Sequence, residues 1–333
     1  MLSLYILSVF LARARRDCVS TSEAREHAEF YLRGREASTI GVYNTEYKKL
    51  VAYCVKFGKS LCGFQERDVI SYLIFRSKQE LSESQLKQVL SVIALVSDVC
   101  GFESPTVSPL VMGVKKGIIK QINKVKKKKL ERVGMTKSKL LKIFGACYDQ
   151  DWNKVDPERR RFLLMKTFCF LGTKRFDDIR KLRKKDVVVR EDGRVKVWMS
   201  RSKTDSRGDG CHFVLTKAKL GSVSVTALVQ WYLESLGGIS EEAFIFPVFR
   251  KGKALQDTAV SYWAARKQLL REKELLSLGE VSWHSGRIGG ATEAAKMGID
   301  RSVIMRGGGW RSSAVDGYIR VEDAGVKMGD AML

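Results

Sequence analysis

The chain has 333 residues, 44% of them apolar and 29% charged, with only four prolines, which excludes wholesale disorder and leaves length for two or three cored domains. Lys and Arg number 60 against 37 Asp and Glu, a formal net charge of +23. An excess of that size fits a polyanionic partner; nucleic acid is preferred to an acidic membrane surface, which would ask for basic clusters beside an amphipathic anchor or lipidation signal, and no apolar run approaches the ~20 residues of a membrane helix.

Met1 to Ala12 is apolar, and Arg13, Arg15 and Arg16 follow it. A secretory signal carries its charge before its apolar stretch, so the order is wrong for one. Residues 1–19 read as a helical leader or the fragment of a longer frame, with an organelle presequence as the weaker alternative, and receive no assignment. Residues 20–123 read as a small helical domain. Thr21 or Ser22 caps a first helix, and Thr39 to Phe57 forms a second, with Tyr43, Tyr47, Leu50, Val51 and Cys54 at three- and four-residue spacing. Glu66 to Arg76 and Ser82 to Val99 follow; Pro105 and Pro109 interrupt the pattern, and Val114 to Ile122 resumes it.

Lys124, Lys126, Lys127, Lys128 and Lys129 make a charge run, which places a basic linker over 124–133. A solvated linker, a strap across phosphates and a nuclear-import signal are compatible readings of it. A second domain, 134–333, opens with helices at Thr136 to Tyr148 and Pro157 to Leu171. The period then changes, and Val187 to Arg190, Arg194 to Met199 and His212 to Leu215 read as strands, with a tight turn at Asp192-Gly193. Helices are expected at Val223 to Leu236, Thr258 to Leu276, Gly289 to Met297, Arg301 to Arg306 and Ser313 to Arg320. The fold class is therefore mainly α with a small three-stranded antiparallel sheet.

The seven cysteines are scattered and contain no C-x-x-C pair, so neither a zinc module nor a disulfide framework is indicated and a reduced, intracellular protein is expected. Carboxylates do not cluster with the three histidines, and no H-E-x-x-H motif occurs, which speaks against metal-dependent nuclease chemistry. A P-loop is missing too: Gly286, Gly289, Gly290 and the run Gly307-Gly308-Gly309 lack its G-K-[ST] ending and read as turn glycines.

A set of cations among polar residues remains. His284 and Arg287 lie three apart at the start of a helix, where one ligand can meet both. Arg175 and Asp178 share the same spacing, which by itself suggests an ordinary helix ion pair. Lys203 lies in the loop between the second and third strands, where a solvated lysine is the plain reading. Trp310 follows the glycine run, and Tyr318 is expected on the last helix, where a core ring with its hydroxyl at the edge is the usual role. Each is unremarkable separately, but the ordered set Arg175, Asp178, Lys203, His284, Arg287, Trp310, Tyr318 is not.

That order, with three strands in the right interval, resembles the active site of the tyrosine recombinases, the family of Cre and the phage integrases. Phe244-Ile245-Phe246-Pro247 with Gly252 and Leu255 is similar to the segment before the family's histidine box, and His284 to Arg320 is Cre-like. Three features depart from it: eight positions from Trp310 to Tyr318, Gly172 three before Arg175, and Asp178 for the commoner glutamate. The short tryptophan-to-tyrosine spacing looks more like recombinases of eukaryotic mobile elements.

The resemblance implies a helical core-binding domain at 20–123 and a catalytic domain at 134–333. It implies DNA strand exchange through a 3′-phosphotyrosyl intermediate without metal or ATP, with Tyr318 as nucleophile. Arg175 and Arg287 would clamp the phosphate, Lys203 protonate the leaving 5′-oxygen and His284 shuttle a proton. Trp310 would donate its indole N–H or buttress Tyr318, and Asp178 orient a neighbour. Double-stranded DNA is the implied partner, a homotetramer on two sites the implied assembly, and the nucleus the expected compartment if the source is eukaryotic, otherwise the cytoplasm. Two alternatives stand beside it: a type IB topoisomerase, and a domesticated DNA-binding protein that has lost catalysis.

Overall fold

In the computed structural model the described residues are 1–125, 133–148, 154–200, 205, 208–215 and 219–319. They form two compact units, Met1–Lys129 and Leu130–Leu333. Of the basic run, Lys124 is exposed at the end of its helix; Lys126 to Lys129 lie outside the described residues.

The first unit is a helical cluster: α1 (Leu2–Arg16), α2 (Thr21–Arg33), α3 (Ala37–Phe57), α4 (Glu66–Ser77), α5 (Glu83–Cys100) and α6 (Pro109–Val125). Ser20 caps α2, one residue ahead of the expected Thr21 or Ser22. Ser82 and Gln85 make a reciprocal capping box at the start of α5. Pro109 opens α6 instead of interrupting it, since proline suits a first helical turn. Residues 1–19 contribute α1, whose Leu2 and Ile6 are buried with Tyr47, Leu50, Leu73, Leu86 and Ile93 in one core. Inside this unit the Arg76 guanidinium lies 2.7 Å from the Glu46 carboxylate, and both side chains are almost fully buried.

The second unit is built around α8 (Pro157–Leu171), in which every residue from Arg160 to Phe170 is buried. It is preceded by α7 (Lys137–Tyr148) and followed by a single turn, α9 (Phe176–Ile179). Strands β1 (Val187–Val189), β2 (Val195–Met199) and β3 (Cys211–Leu215) then pair antiparallel in that order, with Val197 opposite both Val187 and Phe213. The turn glycine Gly193 takes a φ of +77°, as a tight hairpin requires.

Four expectations are corrected downstream. Val223–Ser224 is a strand, β5, paired with β4 (Lys219–Leu220), so the helix there is α10 (Val225–Glu234). Thr258 and Ala259 belong to a second hairpin, β6 (Pro247–Arg250) with β7 (Lys253–Ala259), and α11 (Tyr262–Leu275) starts only after its Ser261 cap. The segment from Ser313 is a 3-10 turn, Ser313–Gly317, with Tyr318 just beyond it; serines and a glycine favour a short turn over a long helix. Arg320 lies outside the described residues.

The fourth concerns the glycines of α12 (Ser285–Lys296). They are not turn residues but the contact face of a helix on α8 and on the chain entering α7. A Cβ on Gly290 would lie 1.9 Å from the Phe170 carbonyl oxygen, and one on Gly289 1.8 Å from that of Met135. Backbones approach this closely only where no side chain intervenes. Of the second glycine run, Gly307 and Gly308 end α13 (Arg301–Gly308), and Gly309 is its left-handed cap.

Candidate active site

The close α8–α12 contact brings the turn after α8 beside the start of α12. Thr173 in that turn takes a φ of +49°, a strained value for a β-branched residue and a kind of strain that gathers at functional sites. Its carbonyl accepts a 2.6 Å hydrogen bond from Arg287 Nη1 on α12, and the same nitrogen donates to the Gly308 carbonyl at 2.8 Å. Arg287 thereby ties together the turn after α8, α12 and the end of α13.

The Arg287 side chain is 0% exposed. Its guanidinium carbon lies 3.7 Å from the Trp310 ring centroid and 5.2 Å from that of Tyr318. The Tyr318 ring is also 5.0 Å from the Trp310 ring and 5.1 Å from the His284 ring. The Tyr318 carbonyl accepts a 3.2 Å bond from Thr292 Oγ1 on α12. Arg175, the cap of α9, lies 3.7 Å from the Asp178 carboxylate, and both are partly buried. The structure therefore gathers Arg287, His284, Trp310 and Tyr318 into one cluster.

Arg175 joins it electrostatically. Burial, then the nearby Arg175 guanidinium, push the Arg287 pKa down to about 10, while Tyr318 and Asp178 act the other way. Tyr318 thus lies close enough to bear on the Arg287 charge, yet Arg287 Nε and Nη2 and the indole Nε1 of Trp310 make no hydrogen bond among the described residues. Buried donors left this way cost about 1–3 kcal/mol each, so an acceptor arriving among them gains directly. Among the described residues no group of three or more His, Cys, Asp or Glu side chains could hold a metal ion.

Lys203 lies outside the described residues. The Asp205 carboxylate accepts backbone bonds from Gly208, Asp209 and Gly210 and faces Arg311 at 3.6 Å. Two lysines escaped the sequence reading. Lys174, one residue before Arg175, is buried, donates to the Gly307 carbonyl at 2.7 Å and lies 4.9 Å from the Phe213 ring; burial lowers its pKa to about 8. Lys166 on α8 is fully buried and donates to the Ser282 carbonyl at 2.9 Å, with the Trp283 ring 4.2 Å away. It braces the segment that delivers His284. Nothing in the sequence marks these lysines, because only the fold turns them inward.

With this geometry in place, the fold is similar to that of solved site-specific recombinases and integrases. The described fold aligns with the XerH site-specific recombinase bound to palindromic difH substrate at a TM-score of 0.61, with 13% identity over 99% of this chain and 95% of that one. It aligns with a lambda integrase(75–356) dimer bound to a COC′ core site at 0.54, with 16% identity over 89% and 93% of the two chains. With the Tn1549 transposon integrase in complex with circular intermediate DNA the TM-score is 0.52, at 11% identity over 97% and 98%. In sequence the chain is Cre-like: it is 22% identical to recombinase Cre of Escherichia phage P1 over 328 residues, 92% of this chain and 91% of that protein. No protein-family model matches it.

Proposed function

We propose that the chain is a site-specific DNA recombinase that cuts and rejoins double-stranded DNA through a 3′-phosphotyrosyl intermediate, with Tyr318 as nucleophile. The observation that carries this reading is Arg287: a fully buried guanidinium, tied by two main-chain carbonyls and bearing unpaired donors, in contact with a tyrosine ring. Attack on a phosphodiester builds charge on its nonbridging oxygens. Preorganised cations in a dry site are worth most at that moment.

In the proposed step the Tyr318 oxygen attacks phosphorus and loses its proton to His284. The bond to the 5′-oxygen breaks, and Lys203 protonates that oxygen. Arg175 and Arg287 hold the phosphate, Trp310 supports the tyrosine ring, and Asp178 orients Arg175. A 5′-hydroxyl from another strand then attacks the phosphotyrosyl bond and releases Tyr318. The phosphodiester energy is kept throughout, so the reading requires no ATP, and side chains supply the cations a metal would supply. The lysines 124 and 126–129 are assigned to backbone phosphates, which carry affinity without sequence. The structural relatives whose names describe DNA-bound dimers support DNA as partner and assembly on it; a homotetramer on two sites is part of this proposal.

The test is covalent trapping in EDTA on a labelled, nicked, random-sequence DNA pool, with Tyr318→Phe and Arg287→Ala alongside. The expected result is a denaturation-resistant adduct that disappears with Tyr318→Phe, while salt-sensitive DNA binding persists. An adduct that survives Tyr318→Phe overturns the site. Site-independent relaxation of supercoiled plasmid by the monomer would point to the topoisomerase class instead.

A further inference from the structure

The helical unit holds a second cluster of reactive groups. Cys62, in the turn between α3 and α4, and Cys100, the last residue of α5, bring their Sγ atoms to 2.9 Å. Sulfurs in ordinary non-bonded contact sit further apart than this, and a disulfide closes at about 2.0 Å. The Tyr5 hydroxyl of α1 bridges them, 3.0 Å from Cys62 Sγ and 2.9 Å from Cys100 Sγ. Both cysteines are free thiols, Cys62 exposed and Cys100 partly covered.

Beside them is a cavity of about 340 Å³ lined by Cys62, Cys100, Ser8, Phe102, Arg13 and Arg16 among others. Arg13 lies over the chain just after Cys100: a Cβ on Gly101 would lie 2.5 Å from its Nη2. Arg16 faces Asp17 at 3.3 Å, whereas Arg13 forms no ion pair among the described residues. A pair of thiols at the wall of a small cavity with a positive rim is a site for an anionic sulfur electrophile.

We infer that Cys62 and Cys100 form a reversible modification site, oxidised to an internal disulfide by a small anionic disulfide of the glutathione class that docks against Arg13 and Arg16. The Cys62 thiolate attacks one sulfur of the small disulfide, forms a mixed disulfide and expels one small thiolate. The Cys100 sulfur then attacks Cys62 Sγ and expels the second. The two cysteines are oxidised, the small disulfide is reduced to two thiols, and the two cysteine protons end on the leaving groups. The order follows from access: Cys62 is exposed, whereas burial raises the Cys100 thiol to about 11 and so disfavours it as the first attacker; its 2.9 Å approach to Cys62 Sγ is what fits it to resolve the mixed disulfide.

The bond would join the α3–α4 turn to the end of α5 across 38 positions of sequence, beneath a residue of α1. Its effect falls on the stiffness of the helical unit. The inference is independent of the recombinase reading, since no residue of the candidate active site takes part.

The full reduced chain is incubated in glutathione buffers of rising oxidised fraction, quenched with acid, alkylated and mapped by peptide mass. The expected product is a Cys62–Cys100 cross-linked peptide that dithiothreitol reverses, in a chain whose melting temperature is several degrees higher. Cys62 and Cys100 both found alkylated, or both found as separate glutathione adducts, under conditions that modify exposed Cys18 would overturn the site. For the docking role, glutathione disulfide is compared with cationic cystamine at low salt. Arg13→Gln with Arg16→Gln should slow glutathione disulfide severalfold and leave cystamine no slower. An unchanged preference between the two disulfides would remove the arginines from the proposal.

Discussion

Gly290→Ala tests the contact on which the active-site geometry rests. The new Cβ would lie 1.9 Å from the Phe170 carbonyl oxygen and 3.1 Å from Thr173 Cγ2. Ordinary contact begins near 3.4 Å, so α12 and α8 must part by about 1.5 Å. Neither neighbour can yield easily, because one is helix backbone and the other belongs to the strained turn that holds Arg287. Overpacking of this kind costs about 1–3 kcal/mol or more, a fall of roughly 2–12 °C in melting temperature for a unit of this size. The larger effect is on chemistry. His284 and Arg287 ride on α12, whereas Arg175 follows α8, so the parting separates groups that the proposed reaction brings to one phosphate. A misplacement of about 1 Å can cost on the order of 100-fold in rate. Adduct formation on nicked DNA, timed at a temperature where circular dichroism shows the variant folded, reads that loss. Gly117→Ala in α6 is the control, since a Cβ there meets nothing within 4 Å. A Gly290→Ala protein with wild-type melting and wild-type adduct rate would refute the contact. A lower melting temperature with an unchanged rate would refute its role in setting the site.

Three other outcomes are expected. Burial pushes the Lys166 amine down to about 7 from an ordinary lysine value near 10.5, so between those limits the unfolded chain binds more protons than the folded one. Stability attributable to this group therefore rises as pH rises from about 7 to 10.5, and the wild-type melting temperature should climb more steeply over that range than that of Lys166→Met; parallel slopes would refute the buried amine. Glu46→Ala strands the buried Arg76 guanidinium and should cost about 3–5 kcal/mol by denaturant unfolding, whereas Glu46→Leu with Arg76→Met should cost less than the single change; the reverse order would show that the pair is solvated. Replacing Lys124 and Lys126 to Lys129 with alanine should weaken binding alike for all DNA sequences, and lower the slope of log affinity against log salt by about 0.9 for each phosphate no longer neutralised; an unchanged slope would take the run off the DNA.

What the sequence made legible was local. Pro157 to Leu171 is a helix over the expected residues, and Asp192-Gly193 turns the first strand into the second. The Arg175–Asp178 and His284–Arg287 spacings deliver their groups because a single turn of chain fixes them. What it hid was set by neighbours distant in sequence. The glycines of α12 carry no sign of the Phe170 and Met135 carbonyls that demand them. Lys166 and Lys174 look like surface lysines until α8 is enclosed on every side. Cys62 and Cys100 look unrelated until α3 and α5 pack against α1.

The same distinction explains Arg287. A buried arginine is expected to face a carboxylate, and the nearest candidate, Asp178, lies instead against Arg175. Two carbonyls hold Arg287 in place of an anion. Dipoles fix its direction without cancelling its charge, and the aromatic faces of Trp310 and Tyr318 keep water from doing so. A carboxylate in their place would make a tighter pair and a weaker phosphate site, because an incoming phosphate would have to compete with it. The desolvation that lowers the Arg287 pKa is thus the same feature that leaves its charge available to an arriving anion.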